Sequence, residues 1–146
     1  MTGTYRILDN VALADTAFEA VGETPSDLFD TVGRAVMEIM ANPDTIGTSW
    51  TTTVDGMAET LGELLFDWIN QLVFLKDAHS VVFHHAEVVV FEQPMPPFWR
   101  LHAAVFGAPV NPAGQELRAD VKAVTKHLYR VDRVGAVWRA RIVLDV

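Results

Sequence analysis

Apolar positions along this chain recur with two different periods, and each change of period marks a change of element. Tyr5 to Leu8 is a short strand-like run. Ala14 to Val21 alternates, with Ala14, Thr16, Phe18 and Ala20 on one face and Asp15, Ala17, Glu19 and Val21 on the other. The period then lengthens. Thr24-Pro25-Ser26-Asp27 is a helix start, with a hydroxyl at the N-cap, proline at the first helical position and acid in the first turn. Leu28, Phe29, Val32, Val36, Ile39 and Met40 continue a helical stripe until Asn42-Pro43 stops it.

Alternation returns from Ile46 to Val54, which predicts a threonine-rich strand ended by Asp55-Gly56. From Met57 to about Lys76, Leu61, Leu64, Leu65, Trp68, Leu72, Val73 and Leu75 predict a second amphipathic helix. Val81 to Phe91 and Phe98 to Phe106, joined by a proline-rich turn, predict a hairpin. Gly107 to Ala119 is a long connection of the kind that more often carries function than not, followed by predicted strands at Asp120 to Val131 and about Ala136 to Val146. Two helices among about seven strands indicate an α+β domain, with both helices packed on one face of a mostly antiparallel sheet. No repeat or linker divides the chain, so one domain over residues 1–146 is expected.

Composition narrows the chemistry. The chain has 146 residues and no cysteine, which excludes disulfides, thiolate zinc sites, iron–sulfur clusters and a cysteine nucleophile. Its apolar runs are too short for a membrane span and no secretory pattern opens it, so a soluble, cytoplasmic protein is expected. The formal net charge of −8 is the wrong sign for gripping a phosphate backbone, and direct nucleic-acid binding is not expected. The charge is uneven: residues 1–75 hold 12 acids and 2 bases, whereas residues 76–146 hold 7 acids and 9 bases. An acidic face suits a metal ion or a basic partner protein, although solubility alone accounts for it.

No glycine-rich phosphate loop and no Gly-x-Ser-x-Gly elbow occurs, so nucleotide hydrolysis and serine-hydrolase chemistry lack support. Of the five histidines, His84 and His85 are adjacent, and in a regular strand they point to opposite faces and cannot chelate one ion together. A site assembled from His85, His102 and His127 is a weaker alternative to ordinary strand histidines. The carboxylates stand out more. Asp15 lies in a mostly apolar strand, and Asp145, with the Val146 carboxylate and main-chain oxygen, offers oxygen donors of the kind that Mg²⁺ and Ca²⁺ select. The competing reading pairs Asp145 with Arg139 or Arg141 on the same strand face.

The run Val121-Lys122-Ala123-Val124-Thr125-Lys126-His127, followed by Arg139-Ala140-Arg141-Ile142-Val143-Leu144-Asp145-Val146, resembles the end of the archease family. Ala14-Asp15, Gly22, Leu28-Phe29 and Asp44 resemble the family's first strand and helix, and Glu63 to Leu72 resembles its second helix. The likeness covers essentially the whole chain. It implies a small α+β protein that is not itself an enzyme but activates the tRNA-splicing RNA ligase, promoting nucleotidylation and repeated turnover of that partner. It also implies a divalent metal ion (Ca²⁺, Mg²⁺ or Mn²⁺) held by Asp15, Asp145 and Val146. The family's motif lysine corresponds to Lys122 and its motif histidine to His127; these two share a site only if their strand is distorted.

Several positions depart from the family pattern. His-Thr-Ala-Asp is Ala12-Leu13-Ala14-Asp15 here, the following glycine is Ala17, the tyrosine before the motif histidine is Lys126, and a His-Glu pair in the preceding loop is Gln115-Glu116. These departures support a second reading, an archease-like protein-interaction or chaperone-like module that does not activate a ligase.

Overall fold

The computed structural model describes residues 3–8 and 15–146. Ala12, Leu13 and Ala14 lie outside them. The elements run β1 (Thr4–Leu8), β2 (Asp15–Gly22), α1 (Pro25–Met40), a 3-10 turn (Pro43–Thr45), β3 (Trp50–Ala58), α2 (Leu61–His79), β4 (Val81–Pro94), β5 (Pro97–Pro109), β6 (Ala123–Val124), β7 (Arg130–Val134) and β8 (Val137–Asp145). The α+β class, the two amphipathic helices and the antiparallel pairing agree with the periodicity. The strands, however, form two sheets rather than one: β1-β2-β8-β6, with β7 also on β8, and β3-β5-β4.

Both helices begin where their caps dictate. Thr24 Oγ1 accepts from the Asp27 amide at 3.1 Å and Thr60 Oγ1 from the Glu63 amide at 3.2 Å, each satisfying an otherwise unpaired first-turn donor. The second cap corrects the expected start of α2 at Met57, because β3 runs through Asp55-Gly56 to Ala58 instead of stopping there. Gly56 stays in the strand through its pairing with Leu101 of β5, and a Cβ at this position would come 3.3 Å from Leu64 Cδ1 on α2. Ile46 and Thr48 precede β3 rather than forming its first half.

The helices pack against both sheets and carry the main core. Trp68 is fully buried and its indole N–H donates to the Phe29 carbonyl at 3.0 Å, joining α2 to α1. Phe18, Ala20, Ala140, Ile142 and Leu144 face the helices from one sheet, and Val54, Leu101, Ala103, Val105 and Val90 from the other. The sheets meet through Trp99 and Trp138, edge to face at 6.3 Å. Helix α1 also covers the outer edge of β4, where Ser26 Oγ accepts from the Val90 N–H at 2.8 Å and donates to its carbonyl at 3.2 Å. A side chain thus satisfies an edge that would otherwise invite another strand.

The long connection after β5 is a strap on α1. Arg118 N donates to the Met40 carbonyl at 2.8 Å, Ala119 N to the Ile39 carbonyl at 3.0 Å, and Arg118 Nη1 to the Glu38 carbonyl at 2.8 Å. Helix α1 has no basic residue in its last turn, so the strap supplies both the missing donors and a cation. The expected strand from Asp120 to Val131 is broken. Only Ala123–Val124 pairs with β8, Leu128 adopts a left-handed conformation (φ 58°), and a new strand begins at Arg130. The break lets one chain segment contribute two separate neighbours, β6 and β7, to β8.

The β4–β5 register shifts between Phe83 and His85, leaving His84 as an extra residue in β4. Gly107 opposes Phe83 there, and a Cβ on it would lie 2.1 Å from the Val82 carbonyl oxygen. Gly107→Ala should therefore destabilise the fold by about 3 kcal/mol or more through overpacking against a rigid main chain. Urea unfolding followed by tryptophan fluorescence measures the loss, and a change under about 1 kcal/mol would show that the bulge yields easily.

Candidate metal centre at the end of the β2–β8 pair

The site follows from the alternation of β2 and β8. Phe18, Ala20, Ala140, Ile142 and Leu144 are buried against the helices, so the alternate positions, Asp15 and Glu19 on β2 and Arg139, Arg141 and Asp145 on β8, take the opposite face. In the antiparallel register Asp15 stands directly opposite Asp145, Glu19 opposite Arg141, and Val21 opposite Arg139.

Along this face charges mostly alternate in sign. Arg6 pairs with Glu19 at 2.7 Å, and Asp132 with Arg130 at 2.7 Å and Arg139 at 3.4 Å. The Asp15–Asp145 end breaks the pattern. Two carboxylates face each other across the strands, and neither forms an ion pair with another described residue. This disposes of the expected alternative in which Arg139 or Arg141 neutralises Asp145: Arg139 is drawn to Asp132, and Arg141 sits opposite Glu19 and Arg130. Like charges on directly opposed strand positions are destabilising, by about 0.2–1 kcal/mol on the scale of cross-strand pairs.

The third strand completes the surroundings. Ala123 pairs with Asp145, and the Lys122 amide donates to the Asp145 carbonyl at 2.8 Å, placing Lys122 beside the Asp145–Val146 end. The structure thus brings Asp15, Asp145, Val146 and the Lys122 main chain to one end of the sheet. It does not bring His127 there through a shared strand: His127 is exposed in the turn between β6 and β7, where the Tyr129 amide donates to the Lys126 carbonyl at 3.1 Å. Lys126 itself lies over the Phe66 ring, 4.0 Å from its centroid, and Tyr129 donates to the Gly62 carbonyl at 2.5 Å. Burial pushes the Tyr129 hydroxyl well above its ordinary pKa, so it remains a protonated anchor for this turn.

Among the described residues no three His, Asp or Glu side chains converge into a preformed metal cluster. The donors at the Asp15–Asp145 end fit a hard cation all the same. They are two carboxylates without an ion-pair partner among the described residues, together with the main-chain oxygen of Val146, and the sequence has no thiolate that would favour a soft metal.

The histidines correct one expectation outright. The β4 bulge places His84 and His85 together, with their Nδ1 atoms 2.7 Å apart, rather than on opposite faces. The sequence carried no clear signal of this bulge: Val81, Val82 and Phe83 are all buried before the pair, and apolar Val89 and Phe91 are exposed after it, so no alternation marks the extra residue. Among the described residues no three-histidine site forms, since His102 pairs with Asp55 at 2.7 Å and His127 lies in its turn.

Comparison with known proteins agrees with the whole architecture. The model of the Archease protein family (MTH1598/TM1083) matches residues 5–146. The protein archease of Methanopyrus kandleri is 28% identical over 133 residues, 91% of this chain and 94% of that protein. That of Methanothermobacter thermautotrophicus is 27% identical over 133 residues, covering 91% and 93%. The solution structure of Methanobacterium thermoautotrophicum protein 1598 superimposes with a TM-score of 0.80 at 25% identity, covering 97% of this chain and 98% of that one. The crystal structure of an archease, possible chaperone, from Thermotoga maritima has the same fold, with a TM-score of 0.59 at 20% identity over 92% and 93% of the two chains.

If the opposed carboxylates lack a counter-ion, Asp145→Asn should raise the stability of the protein in EDTA by about 0.5 kcal/mol. Millimolar CaCl₂ should stabilise the parent chain and leave the variant unchanged. Thermal melts with and without calcium read both effects, and equal calcium stabilisation of the two proteins would remove the site from this end of the sheet.

Proposed function

The chain belongs to the archease family, and from that premise we propose that it is a non-catalytic, metal-binding activator of a tRNA-splicing RNA ligase. The observation that supports this reading is the opposed Asp15–Asp145 pair, which has no ion-pair partner among the described residues and matches the metal ligands that the family resemblance implies. Asp15, Asp145 and Val146 hold the ion, which supplies concentrated positive charge for a partner's phosphate chemistry. The β2–β8 ladder fixes the two carboxylates, and β6 presents Lys122 beside them, so the whole end of the sheet can be offered to a protein surface as one rigid unit. His127, on the exposed turn after β6, is a contact to the ligase rather than a ligand of this ion.

Net charge supports a protein partner over a nucleic acid, because a chain at −8 repels phosphate backbones. Among the described residues no helix is long and apolar enough to cross a membrane. A second reading, a chaperone-like interaction module, is favoured by a different observation. Met57, Val89 and Phe91 expose 56%, 55% and 47% of their surface on the outer face of the three-stranded sheet.

Multiple-turnover ligation by the same organism's ligase, with substoichiometric amounts of this protein, separates the readings. Activation by the parent chain and at least a tenfold smaller effect with Asp145→Asn or Asp15→Asn is the expected result. Absence of stimulation of a competent ligase would overturn the proposal, and retained partner binding by both variants without any effect on turnover would favour the interaction module.

A further inference from the structure

The His84–His85 pair is built rather than incidental. The bulge that inserts His84 is accommodated by Gly107, whose missing side chain leaves room for the Val82 carbonyl, and the His85 ring stacks on Phe106 at 4.6 Å and 8°. Both histidines open into a hollow of about 280 Å³ between β4 and the end of α1. Its other walls include Asp30, Arg34 and Glu38, on successive turns of the helix, and Asp44 from the 3-10 turn. Three carboxylates against one guanidinium make the hollow attractive to cations.

We propose that His84 and His85, with the carboxylate of Asp30, form a second metal site specific for a late first-row transition ion such as Ni²⁺ or Cu²⁺. Nitrogens already this close suit ions that take donors in cis positions. With metal–nitrogen bonds of about 2.0–2.1 Å, donors 2.7 Å apart subtend about 80–85° at the metal, near the cis angle of square-planar and octahedral ions. A tetrahedral Zn²⁺ would need the two nitrogens about 3.3 Å apart. Imidazole is also the donor these ions prefer, unlike the all-oxygen set at Asp15 and Asp145.

In the metal-free protein one Nδ1–H donates to the other Nδ1, and ligation by both moves that proton to Nε2 of the same ring, freeing both Nδ1 lone pairs for the ion. Asp30 is the third donor because one of its oxygens, Oδ2, is buried with no hydrogen-bond partner among the described residues. Burial holds its carboxyl above the ordinary range, opposed by Arg34 and by the field of His85, and a cation in the hollow would relieve that cost. Since no three such groups stand within ligating reach in the structure, Asp30 swings in on binding, and water fills the remaining positions.

Calorimetric titration of the tag-free protein with NiCl₂ and CuCl₂, in a non-coordinating buffer, tests this independently of ligase activation. One equivalent should bind, at least tenfold more weakly in His84→Ala, His85→Ala and Asp30→Asn, and with unchanged affinity in Asp145→Asn. The Cu²⁺ form should show hyperfine coupling to two nitrogens, lost in the histidine variants, whose circular dichroism verifies folding. Absence of uptake, or uptake undiminished by both histidine substitutions, would overturn the site. Weakening by the histidine variants but not by Asp30→Asn would overturn the assignment of the third donor.

Discussion

The register between β2 and β8 is the constraint on which the rest of this protein depends. Strand side chains alternate with a period of two, so a slip of one residue would turn Phe18, Ala20, Ile142 and Leu144 out of the core and bring Glu19 and Arg141 into it. Burial of the apolar set therefore holds the pairing in place. The same pairing forces Asp15 against Asp145 on the opposite face, where no packing benefit offsets their repulsion. Core formation and the opposed Asp15–Asp145 strand end are two faces of one register.

The helices serve the sheets in different ways. Helix α2 fills the space between them with Leu64, Leu65, Trp68 and Leu72, and its indole N–H reaches across to α1. Helix α1 does more at its ends. Its first turn closes the β4 edge through Ser26, and its last turn is finished by donors from the strap at Arg118 and Ala119, more than seventy residues away in sequence. The connection that looked functional on length alone is thus structural over residues 116–119. Gln115 also turns inward on this loop, its side chain accepting from the Asn111 amide at 2.7 Å and donating to the Pro109 carbonyl at 3.0 Å.

The departures from the family pattern acquire physical meaning in the same way. Lys126, in place of the tyrosine before the motif histidine, keeps an aromatic neighbour by lying over Phe66, so the turn that carries His127 is braced by a cation–π contact beside the Tyr129 anchor. Ala17, in place of a glycine, is nearly fully buried opposite Val143. The changes at Lys126 and Ala17 are thus accommodated by packing, while Asp15 and Asp145 keep their opposed places.

Much of this molecule was legible in one dimension. The caps at Thr24, the amphipathic stripes of both helices, the β4–β5 hairpin and the inner face of β8 follow from local periodicity and local hydrogen-bonding chemistry, which neighbouring residues determine. Asp15, Asp145 and Val146 were also singled out from residue type and family resemblance. What the sequence could not determine was anything requiring a partner distant along the chain. Division into two sheets, the break between Lys122 and His127, the continuation of β3 through Gly56 and the convergence of His84 with His85 all depend on which surfaces meet in space. Each was decided by a tertiary contact: pairing to β8, the pairing of Gly56 with Leu101, or the Gly107 main chain lying against a bulge. Local pattern sets which face of a strand is apolar, but only the packed structure decides what stands opposite the polar one, and in this protein that is where both cation sites are proposed.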